Sequence, residues 1–167
     1  MSVVVEKEHE LTVHLLNELQ AIPGMTIYGS TDLEKHPRGG VVSFNIQGFD
    51  HGLVATYLND FHNIAVRNGC FCAQPYGIAL MRCEQGALPW ETNDPHDHPG
   101  MVRASLGLYT TRDHIDTLIA ALHRLLQHQD EIKALYAPGE HGNFLRVDGK
   151  QLPRTFTVNG SVEAYLG

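Results

Sequence analysis

Residues 41–62, VVSFNIQGFDHGLVATYLNDFH, hold a strand and a helix in succession, and the junction between them decides the fold. VVSFNI is apolar and β-branched and is bounded by Gly40 and Gly48, which predicts a strand over 41–46. Asp50 is an N-cap residue type, and after it Leu53, Val54, Tyr57, Leu58 and Phe61 form one stripe at helical spacing. A strand delivered into a capped amphipathic helix needs a second layer for its apolar side, which the flanking sequence must supply.

Upstream, Leu11, Leu15, Leu19 and Ile22 recur at steps of three and four, predicting a helix over Glu6–Ile22 that Pro23-Gly24 stops. MTIYG then reads as a short strand and STDLEKHPRGG as a polar loop. Downstream, IAV (64–66) predicts a very short strand leading into RNGCFCAQPY (67–76), and Gln74–Cys83 predicts a short helix after Pro75. CEQGALPWETNDPHDHPG (83–100) is a loop by composition. MVRASLGLY (101–109) returns to strand character, and Thr111 opens a helix with Ile115, Leu118, Ile119, Leu122, Leu125 and Leu126 on one face. That helix breaks or continues near Gln129, with a further turn through Leu135. Beyond it, NFLRV and TFTV around DGK predict a hairpin.

This order is that of an α+β fold, a small and mostly antiparallel sheet with helices on one face, its other face wet or docked on something else. We read residues 1–135 as one domain and 136–167 as an extension packed on it.

Composition narrows the function. The chain has 167 residues, 43% hydrophobic, with a formal net charge of −7. It is long enough for one core. No stretch approaches the roughly 20 apolar residues of a membrane helix, and the N-terminus turns acidic too early for a signal peptide. A soluble, cytoplasmic protein with no membrane partner is expected. Without a basic cluster, nucleic acid is not an expected partner. Three cysteines do not suggest a secreted disulfide framework.

Cys72 has three readings: a small apolar filler, a nucleophile, or one arm of a metal site. Gly69 and Pro75 mark a turn after a strand, where reactive groups are displayed, and Arg67 would favour a thiolate if the two side chains approach. Cys70 and Cys72 with His96 and His98 give C-x-C and H-x-H, a weak zinc pattern, because neighbouring ligands in structural zinc sites are usually further apart in sequence. Arg103 sits inside an apolar strand and must find a partner, either a carboxylate of a neighbouring strand or the carboxylate of a ligand. His9, His14, His51, His114, His123 and His128 read as surface residues on helices or their ends, and Trp90 as an anchor for its loop.

Taken together, Arg67-x-Gly69-x-x-Cys72-Ala73-x-Pro75, then Arg103-Ala104-Ser105, then Tyr109-x-Thr111 resemble the C-terminal small domain of the class V aminotransferase family. The cysteine desulfurase and selenocysteine lyase branch is the nearest, and the likeness runs from about Glu6 to Gln127. It implies the small domain of a fold-type-I enzyme, dependent on pyridoxal phosphate (PLP), that works as a homodimer on a small amino-acid substrate. In those enzymes the cofactor carries L-cysteine, and a protein thiolate takes its sulfur as a persulfide, leaving alanine. Residue by residue, the resemblance implies that Cys72 is the catalytic cysteine, that Arg103 grips the substrate carboxylate and that Arg67 helps shape the site.

Three departures matter. Cys70 and Phe71 replace two histidines of the closest desulfurases, which suggests a sulfur relay from Cys72 to Cys70. The segment between Cys72 and Arg103 is longer. None of Lys7, Lys35, Lys133 and Lys150 lies in the Ser-x-His-Lys-like setting of the lysine that holds PLP on a large domain. The chain is therefore expected to lack its PLP-binding large domain and to bind PLP weakly or not at all by itself. The alternative reading is a stand-alone binding or sulfur-carrying module without PLP catalysis, with zinc on the cysteines and loop histidines as a variant of it.

Overall fold

The strand and the helix read in residues 41–62 both form. The computed structural model describes residues 2–85, 99–139 and 143–149. In chain order these make α1 (Ser2–Gln20), β1 (Met25–Tyr28), β2 (Val41–Ile46), α2 (His51–His62), β3 (Arg67–Gly69), α3 (Gln74–Gln85), β4 (Met101–Ser105), α4 (Arg112–Gln127), α5 (Gln129–Ala134), β5 (Tyr136–Pro138) and β6 (Phe144–Arg146). Trp90, His96, His98, Lys150 and the TFTV run lie outside the described residues.

Four strands pair antiparallel in the order β1-β2-β4-β3. Val42, Phe44 and Ile46 of β2 and Val102 and Ala104 of β4 are buried on one face, where α1, α2 and α4 cover them. Leu11, Leu15 and Leu19 come from α1 into that core, and Ile115, Leu118 and Leu122 from α4. His14, read as a surface residue, instead bridges these two helices, its Nε2 lying 2.6 Å from Asp116 Oδ1 with the side chain 10% exposed.

Caps fix the helix starts. The Asp50 carboxylate accepts from the Gly52 amide at 2.6 Å. Thr111 and His114 close a reciprocal capping box at the start of α4. His128 separates α4 from α5 where the sequence placed a break.

Two segments differ from expectation. Residues 64–66 are not a strand, because Asn63 adopts a left-handed conformation and Ile64 N–H bonds back to Leu58 O at 3.0 Å. The chain is still closing α2 there, so pairing with β4 begins only at Arg67. The NFLRV run does form a strand, β6, but among the described residues its partner is β5, with Tyr136 opposite Arg146. Tyr136 is buried and donates to Asp60 Oδ2 of α2 at 2.9 Å.

The second face of the sheet is only partly covered. There α3 packs through Met81 on Tyr28 and Met101, with Cys70, Phe71 and Leu80 around them. Gly100 is the close-approach residue at this edge, since any Cβ there would overlap the His51 ring that meets Asn68 Nδ2 at 3.2 Å.

Candidate active site

Antiparallel register lays one row of side chains across all four strands on the second face. Tyr28 stands opposite Ser43, Ser43 opposite Arg103, and Arg103 opposite Arg67. Directly opposed residues share a face at roughly 5 Å between Cβ atoms, and like charges so placed repel. Two guanidinium-bearing positions facing each other are therefore poor sheet design unless an anion joins them.

Arg103 meets no carboxylate among the described residues, so the strand-neighbour salt bridge is not what holds it. Its Nε is buried without a hydrogen-bond partner, and its Cζ lies 4.8 Å from the Phe71 ring centroid. Stacking orients the guanidinium plane but leaves donors unsatisfied. Beside it, Asn45 Nδ2 donates to Gly100 O at 2.8 Å and to Tyr28 Oη at 3.2 Å, while Asn45 Oδ1 has no partner.

The cysteine turn follows β3. Gly69 has φ 100, and then two residues with side chains, Phe71 at φ 54 and Cys72 at φ 62, also sit at positive φ. Residues other than glycine, asparagine and aspartate rarely adopt that region, so the turn is strained. It is closed by Ala73 N–H to Cys70 O at 3.0 Å and runs on through Gly77 N–H to Ala73 O into α3. The consequence is a division of labour between the two thiols. Cys70 turns inward, donates to Pro99 O at 3.0 Å, and burial raises its thiol above the ordinary value. Cys72 is exposed on the turn.

A cavity of about 340 Å³ opens over this face. Its walls include Ser43 and Arg103 from the sheet, Phe71 from the turn, Tyr76 and Leu80 from α3, and Arg38 from the loop before β2. No acidic side chain lines it among the described residues. Of the residues singled out in the sequence, the structure brings Arg103 and Cys70 to this cavity, whereas Cys72 and Arg67 are exposed beside it and do not line it. Arg38 was not singled out. Its Nη1 and Nη2 donate to Ser30 O at 3.1 Å and Val41 O at 2.6 Å, and burial lowers its pKa. An arginine directly before the Gly39-Gly40 pair was the available signal, and loop sequence alone does not say which way the loop folds. For zinc, His96 and His98 lie outside the described residues, and among the described ones no three His, Cys, Asp or Glu side chains gather around a metal-sized site.

Residues 1–118 match the Aminotransferase class-V family. The chain belongs to that family. A cysteine desulfurase of Cronobacter sakazakii is 36% identical over 126 residues, which is 71% of this chain and 25% of the relative. One from Escherichia coli CFT073 is 34% identical over 122 residues, 73% of this chain and 25% of the relative. The chain thus spans about a quarter of the length of these curated relatives. Among solved structures, the apo cysteine desulfurase of Thermococcus onnurineus NA1 superposes with a TM-score of 0.52 at 32% identity, covering 73% of this chain and 26% of the other. The cysteine desulfurase CsdA of Escherichia coli, crystallised in its S-sulfonic acid form, gives 0.56 at 23% identity over 74% of this chain and 25% of that one, a likeness of fold. The α+β architecture is that of the small C-terminal domain of fold-type-I PLP enzymes, as the sequence implied. No helix among the described residues is long and apolar enough to cross a membrane.

The class-V family depends in general on PLP, whose attachment in such enzymes is through a lysine. Lys7 Nζ donates to Leu108 O at 3.1 Å, Lys35 pairs with Asp32 at 2.9 Å, and Lys133 lies over the Phe49 ring at 4.7 Å. None of the three lines the cavity, so no described lysine is placed to bond the cofactor.

Proposed function

We propose that this chain is the substrate-gripping and nucleophile-bearing part of a cysteine desulfurase-like enzyme, and that PLP is held by polypeptide outside it. The observation that carries the reading is Arg103, a guanidinium with a buried unpartnered Nε facing a cavity that no described acid lines. A substrate carboxylate supplies the missing partner, and its planar geometry matches the guanidinium fork. Arg67, directly opposite in register, adds positive potential at the cavity edge and relieves its own repulsion with Arg103 once an anion is bound.

Cys72 is the group that accepts sulfur in this reading. Its exposure and its place on a strained turn support that role, since a nucleophile must reach both a substrate and a downstream acceptor. Cys70 has a lesser part. Its proton is held on Pro99 O, so a relay from Cys72 requires that bond to break first. Persulfide trapped on Cys72 alone at every time point would exclude the relay.

The remaining polypeptide, a large PLP domain and a second copy in a homodimer, we place against the exposed Leu108 and Tyr109, 71% and 84% exposed, which lie beside the exposed valines at the start of α1 through the Lys7 contact. The test has two arms. The chain alone, passed through gel filtration with PLP, is expected to retain none. Stoichiometric retention with the absorbance of a lysine-bound cofactor overturns the division of the site. In a longer polypeptide that contains this chain and turns over cysteine, Cys72→Ser and Arg103→Ala are each expected to lower kcat/KM at least ~100-fold. Unchanged turnover in both variants overturns the assigned roles.

A further inference from the structure

Among the described residues the Arg103 guanidinium makes no hydrogen bond and no ion pair, and the contact left to aim it is the Phe71 ring, whose centroid lies 4.8 Å from Cζ. An aromatic ring takes the flat face of a guanidinium, whereas a carboxylate docks on its N–H edge. The two contacts use different parts of the group and do not compete. Phe71 is itself held in an unusual state, with φ 54 in a region that a bulky side chain rarely adopts. Part of what holds it is apolar, since it packs beside Leu80 against Tyr28, Met81 and Met101. That packing asks for bulk, which a leucine also supplies. The contact with Arg103 asks for a ring. The next residue along the same turn is Cys72, at φ 62, and Ala73 N–H closes the turn on Cys70 O at 3.0 Å. One ring thus joins the cation of β4 to the turn that displays the thiol.

Resting on the reading of Arg103 as the grip for the substrate carboxylate, we infer that Phe71 is the positioning residue of this site: its ring sets the guanidinium plane before substrate arrives and ties that plane to the Cys72 turn. Arginine has much side-chain freedom to lose, so a guanidinium ordered in advance binds a carboxylate at a smaller ordering cost. The tie works in both directions. A carboxylate that fixes Arg103 steadies the turn, and a steady turn keeps Arg103 aimed. The α-carboxylate is common to all amino acids, so this role places no demand on the substrate side chain and suits cysteine.

The tie is read first in the 167-residue chain, where no turnover is needed. The reporter is hydrogen exchange of the Ala73 amide by NMR, because that N–H closes the turn. Arg103→Gln removes the guanidinium and leaves Phe71 in place, and is expected to speed Ala73 exchange at least ~3-fold, the size of one lost cation–π contact. Phe71→Leu is expected to speed it at least as much, and adding Arg103→Gln to Phe71→Leu to change nothing further. Phe71→Tyr keeps the ring and is expected to exchange as the unaltered chain does. Unchanged exchange in Arg103→Gln overturns the inference, whatever Phe71→Leu does to folding, and so do effects that multiply in the double variant. In a longer polypeptide that contains this chain and turns over cysteine, Phe71→Leu is expected to lower kcat/KM about 10-fold, and Phe71→Tyr to restore it. In an Arg103→Ala background Phe71→Leu is expected to have no effect, and a loss of the same size there overturns the inference. If Arg103→Ala lowers turnover and Phe71→Leu does not, the inference falls and the proposed function stands. If Arg103→Ala leaves turnover unchanged, the reading of Arg103 as the grip falls, and this inference with it.

Discussion

The two faces of the sheet are built from alternate residues of the same strands, yet they obey opposite rules. On the helix-covered face the polar groups that are buried are paired. Thr12 Oγ1 donates to Glu8 O at 2.6 Å, Tyr57 Oη lies 2.9 Å from His62 Nε2 and 3.3 Å from Ala121 O, and Tyr136 donates to Asp60. On the other face the two buried side-chain atoms that lack partners among the described residues, Asn45 Oδ1 and Arg103 Nε, sit in one small area with two facing arginines and a strained turn. Because a strand alternates sides at every residue, one β2 segment serves stability through Val42 and Phe44 and the cavity through Ser43. Unsatisfied groups gathered on one face mark where the fold gave up stability for binding.

The widest contrast is between neighbours. Phe44 is 0% exposed in the core, so Phe44→Ala is expected to cost about 3–5 kcal/mol in urea unfolding. Ser43→Ala, one residue away, is expected to change stability by less than about 0.5 kcal/mol. Similar costs at the two positions would break the comparison, because they would mean that the cavity face is packed as tightly as the core.

Tyr136 tests whether the paired groups of the helical side are worth their burial. Tyr136→Phe removes the bond to Asp60 and leaves its acceptor wanting, at an expected cost of about 1–2 kcal/mol. It also changes the alkaline limb. Burial first, then the Asp60 hydrogen bond and charge, push the Tyr136 phenol above its ordinary value. An acid raised in the folded state keeps its proton more firmly there, so its stabilisation is complete below the unfolded tyrosine value of about 10 and is lost as pH climbs above it towards the folded value. Stability measured from pH 9 to 11 is expected to fall less steeply in Tyr136→Phe. Burial also raises Tyr57, so a shallower slope is expected to remain, not to vanish.

Arg103→Met reverses the sign. Replacing a guanidinium that has a buried unmet donor by an apolar chain of similar reach leaves contact with the Phe71 ring and removes a desolvated charge. The expected result is unchanged stability or a gain of up to about 1 kcal/mol. A loss of 2 kcal/mol or more would make Arg103 a structural residue and dissolve the contrast between the faces.

Which of these features sequence could carry depends on their range. The strand at 41–46, the Asp50 cap and the Thr111 start are local patterns, and each formed where the spacing put it. Arg103 stood out because a charge inside an apolar strand is conspicuous in one dimension. Arg38 did not, since its place at the cavity depends on the path of the loop over residues 29–40 and on carbonyls that only the folded loop presents. Residues 64–66 misled because the β-branched Ile64 and Val66 suit a strand, yet the Ile64 amide is held in closing α2. The turn at Phe71 and Cys72 was legible as a turn from its glycine and proline, but its positive φ values fall on residues whose identity gives no hint of them.

That turn supplies the smallest expected effect and the finest test of the two-face rule. A side chain at positive φ costs about 1–2 kcal/mol, which glycine avoids, while glycine adds about 0.4–1 kcal/mol of chain entropy to be lost on folding. Cys72 has φ 62 and is exposed, so little packing is lost with its side chain. Cys72→Gly is therefore expected to raise stability by about 0.5 kcal/mol, read as a higher urea midpoint at unchanged slope. Cys72→Ala keeps the Cβ and with it the strain, so it is expected to leave the midpoint in place. Equal midpoints for the glycine and alanine variants would show that the turn holds no strain at this residue, and the support drawn from it for a displayed nucleophile would then rest on the exposure of Cys72 alone.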